Sequence, residues 1–166
     1  QAIVREGADT VAMFLAEPVQ GAGGVIVPQD DYFPRIREIC DKYEVLLVAD
    51  EVITAFGRTG TLFALDHWGI EPDIVQFAKA VTSGYVPFGG IGINDRIAAT
   101  LEGDDRVWMH AYTYSAHPGG GAAGMVALEI MERENPVQNA RQRGEQLSET
   151  LNDIKDRHPI VGAARG

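Results

Sequence analysis

At 166 residues the chain can form one domain with a sizeable core, and 45% hydrophobic against 23% charged residues excludes a disordered polymer. The 14 basic and 24 acidic residues leave a formal charge of −10, which opposes nonspecific attachment to nucleic acid or to an anionic membrane surface. The single cysteine, Cys40, has no partner for an internal disulfide, so a reducing, cytoplasmic setting is the default, and no apolar run is long enough to span a bilayer.

Residues 10–15 are largely apolar and stop at Glu17-Pro18, which reads as a buried strand feeding a loop, because proline cannot continue a central ladder. The loop is Gln20-Gly21-Ala22-Gly23-Gly24, one of several tight clusters among the 19 glycines, where the backbone turns sharply or comes close to a ligand. Asp30 and Asp31 are suitable N-caps for a helix whose Phe33, Ile36, Ile39, Cys40 and Tyr43 share one face, with Pro34 tolerated in the first turn. A β-favouring apolar run over 45–49 follows directly. Strand, helix, strand is the βαβ order of a parallel sheet, so the expected class is α/β with a mostly parallel sheet flanked by helices.

Asp50 and Glu51 stand at the carboxyl end of that second strand, the edge at which open α/β sheets bind ligands. A polar, glycine-containing stretch runs to Gly60. A third strand over 73–77 leads to Lys79, a fourth covers 89–93, and a short helix covers 95–101. Between Trp108 and Pro118 lies an aromatic and polar segment without a clear period. A Gly- and Ala-rich helix then runs to about Glu132, and another begins at Pro136 and ends near Asp156. No repeat or low-complexity linker divides the chain. Gln1 is not a methionine, and Arg165-Gly166 come just after a helical segment, so the expectation is an internal stretch of a longer protein.

An acid at the end of a buried strand serves two kinds of site: nucleotide hydrolases, where it helps hold magnesium, and pyridoxal enzymes, where it pairs with the pyridine nitrogen. The first needs a Gly-x-x-x-x-Gly-Lys-Ser/Thr phosphate loop, which this sequence does not contain. Lys79 sits between Ala78 and Ala80 at a strand end, an apolar setting in which its amine could act as a nucleophile, although a lysine merely reaching solvent would look the same. His67, His110 and His117 have no metal-ligand spacing and read as structural, so no metal site is expected.

Four motifs together are more specific. The runs Glu17-Pro18-Val19-Gln20-Gly21, Asp50-Glu51-Val52-Ile53-Thr54-Ala55-Phe56-Gly57-Arg58-Thr59-Gly60, Pro72-Asp73 with Ala78-Lys79-Ala80-Val81-Thr82-Ser83-Gly84, and Tyr112-Thr113-Tyr114-Ser115-Ala116-His117-Pro118 occur in the order and at the spacing of one family. The chain resembles the class III pyridoxal-phosphate-dependent aminotransferases. The resemblance covers almost all of it and corresponds to the central part of the large domain of a fold-type I enzyme, with 136–166 leading toward a carboxyl-terminal small domain.

The resemblance implies that pyridoxal 5'-phosphate is the cofactor, that Lys79 forms its Schiff base, that Asp50 pairs with its pyridine nitrogen and that Val52 packs against its ring. Lys79, released by the incoming amine, would also shuttle the proton as base and acid. Thr113 matches a threonine that reaches the cofactor phosphate of the neighbouring subunit, which implies a homodimer. Glu17 matches a glutamate on the substrate side that can pair with an arginine from the carboxyl-terminal part. The implied reaction moves an amino group from an amine or ω-amino acid to a 2-oxo acid such as pyruvate. A same-fold aminomutase or decarboxylase is the alternative, and a nucleotide-dependent hydrolase or an inactive interaction domain is the alternative of a different class.

The sequence departs from the family in a few places. Ile53 replaces the glutamine common in relatives that handle ornithine derivatives or 4-aminobutyrate, which points to the ω-amino acid and amine subgroup using pyruvate. Arg58 is expected to tie the loop around it by bonding to carbonyls or carboxylates. Ala111 and Ala116 replace common glycines, at a cost of about 1 kcal/mol wherever φ is positive. Gly119-Gly120-Gly121 open a helix at a cost of up to about 1 kcal/mol each, and the sequence offers no function for them. The family's phosphate cradle, its ring-stacking aromatic residue and its small domain lie in other parts of such enzymes, so the isolated chain is expected to bind cofactor poorly and to turn over little.

Overall fold

The computed structural model describes residues 1–102 and 109–164; Trp108, Arg165 and Gly166, named above, lie outside them. A short helix α1 (Ala2–Glu6) precedes β1 (Met13–Ala16), α2 (Tyr32–Tyr43), β2 (Leu46–Asp50), β3 (Ile74–Phe77) and β4 (Gly90–Ile93). Three helices follow: α3 (Asp95–Leu101), α4 (Pro118–Glu134) and α5 (Pro136–Arg157). The strands lie side by side in the order β1-β2-β3-β4. The first two pairings are parallel, with Ala16 opposite Ala49 and Asp50 opposite Gln76.

The β3–β4 pairing is antiparallel, with Phe77 opposite Gly90. The connection between them explains why. After β3 the chain makes a 3-10 turn over Lys79–Thr82, and the Thr82 hydroxyl then donates to the Val86 carbonyl at 2.6 Å, so the chain reverses at the edge where it arrived and never crosses the sheet.

Helix α2 forms where the apolar spacing placed it and buries Phe33 and Cys40 against the sheet. Phe33 packs with Ala49, Leu65 and Trp68, while Cys40 packs with Val45, Leu47 and Ile36. Burying a side chain such as Phe33 contributes about 1.5–3 kcal/mol, so this one helix face accounts for much of the local stability. Leu47, Val48 and Ala49 of the central strand are all buried, which is why that run is continuously apolar instead of alternating. Asp31 occupies the N-cap of α2 as expected, but its carboxylate pairs with Arg35 and does not cap the helix.

Burial pushes the Cys40 thiol up from its ordinary value, which suits a core packing role. Met13 and Leu15 of β1 and Met125, Val126 and Leu128 of α4 remain exposed. Among the described residues no helix is long and apolar enough to cross a membrane.

Candidate active site

The carboxyl ends of the three parallel strands bring together residues far apart in the sequence. Glu17 follows the last residue of β1, Asp50 ends β2, and Lys79 comes two residues after the end of β3. The register that places Ala16 beside Ala49 and Asp50 beside Gln76 sets all three on one sheet edge.

The two adjacent acids of the second motif divide their work. Asp50 is half-buried, and its Oδ1 accepts a hydrogen bond from the Val52 N–H at 3.1 Å; no other hydrogen bond to its carboxylate is present among the described residues. Glu51 points the other way and is 1% exposed. It accepts from the Ala64 N–H and the Leu65 N–H, each at 3.0 Å, and from the Thr54 hydroxyl, so its charge caps the 3-10 helix Ala64–Trp68. Val52 is half-buried at the same edge and lies outside both core clusters.

Lys79 opens its 3-10 turn with a φ of +47°, in the left-handed region that side-chain-bearing residues rarely adopt. The apolar setting suggested by its alanine neighbours is not formed by the described residues: Lys79 is exposed, because the turn lifts it off the end of β3. Val81 and Thr82 on the same turn are buried, and α4 packs against it.

The glycine loop after β1 is held close to the Asp50 motif. Glu17 Oε2 accepts from the Gly21 N–H at 2.9 Å. A Cβ on Gly21 would lie 2.5 Å from Ile53 Cδ1, so the residue that replaces the common glutamine serves as the wall against which this glycine packs.

Thr113 is exposed on a turn at the entrance to α4. Within that turn it is Ser115 whose hydroxyl is used internally, accepting from the Tyr112 N–H at 2.8 Å; no hydrogen bond of the Thr113 hydroxyl is present among the described residues. Ala116 has a φ of +56°, as its replacement of glycine had suggested, whereas Ala111 does not have a positive φ. His117 caps α4, with Nδ1 accepting from the Gly120 N–H at 3.4 Å, and His67 Nε2 lies 3.0 Å from the Thr59 carbonyl, so both have structural duties. The Thr113 turn and the chain over 86–89 together line a cavity of about 600 Å³. The structure thus gathers Glu17, Asp50, Val52 and Lys79 at one edge and places Thr113 on a separate turn joined to it through α4.

The expectation for Arg58 is corrected. Arg58 is exposed and makes no hydrogen bond among the described residues, and the guanidinium that ties its loop belongs to Arg141 of α5, which donates to the Gly60 carbonyl from Nε at 3.2 Å and from an Nη at 3.0 Å. Gly57 and Gly60 both have positive φ, and a Cβ on either would press on α5, at Val137 and Arg141. Nothing within the motif itself signals a partner 81 residues away.

Asp73, named in the third motif, was given no role by the sequence. Its carboxylate accepts from the Leu47 N–H at 2.8 Å, Arg37 at 3.0 Å, Asn94 at 3.0 Å and Arg96 at 2.8 Å, which joins β2, α2 and α3 at the amino end of β3. Burial alone would raise its pKa, but the Leu47 N–H, the bonds from Arg96 and Arg37 and the charge of Arg37 together hold it below the ordinary aspartate value. The arginine side responds in kind: burial opposes the charge of Arg37, yet Asp73 and Asp41 raise its pKa. Among the described residues no group of three or more His, Cys, Asp or Glu gathers to hold a metal ion.

A family model described as "Aminotransferase class-III" matches residues 1–166. The chain belongs to the class-III aminotransferases. It is 44% identical over 99% of its length to a diaminobutyrate–2-oxoglutarate transaminase from Halomonas elongata, and 43% identical over 99% to a putrescine–pyruvate aminotransferase from Pseudomonas aeruginosa. It spans 36% of the length of each of these curated relatives. An amine transaminase from an uncultivated Pseudomonas species, solved in the PLP-bound (internal aldimine) form, superposes with a TM-score of 0.91 at 48% identity over 99% of this chain and 38% of that one. Class-III aminotransferases depend on pyridoxal phosphate, and the mixed, mostly parallel sheet with its helices is the fold of these transaminases.

Proposed function

We propose that the protein containing this chain is a pyridoxal-phosphate-dependent aminotransferase that moves an amino group from an amine or ω-amino acid to a 2-oxo acid such as pyruvate. The observation that carries this reading is the common sheet edge of Lys79, Asp50 and Val52. The donor set fits the cofactor: an exposed amine for an aldehyde, a carboxylate with one oxygen uncommitted among the described residues for a ring nitrogen, and a half-buried apolar side chain for a ring face.

When bound, pyridoxal phosphate supplies an electron-withdrawing ring that stabilises negative charge on the carbon bearing the transferred nitrogen. Lys79 would hold the cofactor through its side-chain amine and would take and return the proton at the substrate carbon as base and acid. Asp50, oriented by the Val52 N–H, would have its other oxygen available to favour the protonated form of the ring nitrogen. Val52 would exclude water from one ring face, and Thr113, with its hydroxyl left over by the turn, would hold the phosphate of a neighbouring subunit in a homodimer. Glu17, held by the Gly21 N–H, faces the substrate side.

The chain forms the central part of the large domain, with 136–166 leading toward a small domain, in a cytoplasmic enzyme. The remainder of the longer protein then covers the exposed apolar faces of β1 and α4, and the chain alone has little activity. Pyruvate is favoured over other acceptors by Ile53, which supplies apolar packing where a hydrogen-bonding glutamine is common in other subgroups.

The test is borohydride reduction of the cofactor-loaded full-length protein followed by peptide mapping. The pyridoxyl group is expected on Lys79, and a label elsewhere, or none, overturns the reading. With putrescine as donor, alanine should form from pyruvate mole for mole; release of carbon dioxide in place of amino transfer would assign a decarboxylase instead.

A further inference from the structure

The three glycines that open α4 are not equivalent. A Cβ on Gly121 would meet open space, and one on Gly119 would meet only the ring of its neighbour His117. Gly120 is buried, and a Cβ there would fall 2.5 Å from Cδ2 and 3.2 Å from Cγ of Phe88. One helical turn later a Cβ on Gly124 would lie 3.8 Å from the Val81 carbonyl oxygen and 3.9 Å from Cε1 of the same phenylalanine. Phe88 and Val81 of the Lys79–Thr82 turn therefore both lie against the same stretch of α4.

The chain is pinned on both sides of that ring. Before it, the buried Thr82 bonds to the Val86 carbonyl; after it, a Cβ on Gly89 would come within 2.9 Å of the Phe77 carbonyl oxygen, so the backbone runs tight against the end of β3. Between these points Lys79 keeps its left-handed φ of +47°. Such a backbone is strained for a side-chain-bearing residue, and it persists only where the surroundings over-determine it.

We propose that Phe88, seated on Gly120, is the brace that keeps Lys79 in this conformation, which makes Phe88 and Gly120 positioning residues for the amine that holds the cofactor. The inference rests on the reading of Lys79 given above and deepens it. Gly120 must lack a side chain because the ring occupies its Cβ position; an alanine either pushes the ring out or moves α4 away, and both release the turn.

The experiment compares Gly120→Ala, Gly121→Ala and the Gly120→Ala/Phe88→Leu double variant of the full-length protein. Hydrogen exchange of the 79–82 amides is followed without cofactor, and the pH midpoint of the bound cofactor's visible absorbance with it. Overpacking by one methyl group should speed exchange in Gly120→Ala about tenfold and displace the absorbance midpoint. Gly121→Ala should change neither, and the double variant should return both toward the parent, because a leucine end can retreat where a ring cannot. Unchanged exchange in Gly120→Ala, a faster exchange with an unmoved midpoint, or a double variant no better than Gly120→Ala overturns the proposal. The exchange measurement needs no cofactor, so a borohydride label away from Lys79 would defeat the functional reading while exchange still decides the brace.

Discussion

Replacing Asp73 with asparagine keeps the shape of the side chain but removes its charge and presents an NH2 group to donors. The native carboxylate is 7% exposed and receives four hydrogen bonds, two of them from guanidinium groups. Arg37 is 19% exposed, its Nε has no hydrogen-bond partner among the described residues, and without Asp73 its remaining ion pair is the one to the exposed Asp41 at 2.7 Å; a charged hydrogen bond like the one lost is worth about 1.5–3 kcal/mol. Arg96 is 67% exposed, and its share falls to the ~0–1 kcal/mol of a surface pair. Together these give a loss of about 2–4 kcal/mol near pH 7.

The pH dependence has a definite sign. The folded pKa of Asp73 lies below its unfolded value of about 3.9, so its stabilisation is complete above that value and is lost as pH falls through the folded one. Urea and thermal unfolding of the full-length parent and Asp73→Asn should therefore differ most at neutral pH and converge on acidification. The substitution lies at the amino end of β3, away from Lys79, so borohydride labelling of folded protein should be retained. A difference under about 0.5 kcal/mol at neutral pH, or one that grows in acid, would refute the role given to this carboxylate.

Glu51→Gln should cost about 2–4 kcal/mol in the same unfolding measurements, because its new NH2 must face a buried donor among Thr54, Ala64 and Leu65; a neutral result would show that the buried cap contributes little. Ala116→Gly should raise stability by about 0.5–1 kcal/mol by relieving a positive φ, and a clear loss would mean that the alanine methyl group is packed in the native state.

The sheet was legible because its strands are short, apolar and separated by turn signals. The 45–49 run, one residue out of step with β2, is apolar on both faces because it is the central strand. Helix α3 lies over the residues expected for it, and α2 follows from Phe33 and Cys40 at helical spacing. Short elements such as α1 and the 3-10 helix Ala64–Trp68 carried no readable period; the latter is fixed by Glu51, thirteen residues before Ala64.

The motifs likewise identified the residues of the sheet edge without fixing their surroundings. Asp50 and Glu51 look alike as neighbours in the sequence, and only the β2 pleat sends one to the ligand edge and the other beneath the 3-10 helix. The arginine within the loop motif looked like its tie, whereas the packing of α5 gives that task to Arg141. Sequence by itself determined the strand–helix order, the family and the residue types at the ligand edge, because these follow from periodicity and motifs local in the chain. Tertiary structure alone decided the antiparallel fourth strand, the Asp73 junction, the exposure of Lys79 and the partner of Gly120, because each depends on contacts between segments whose separation in sequence carries no periodic signal.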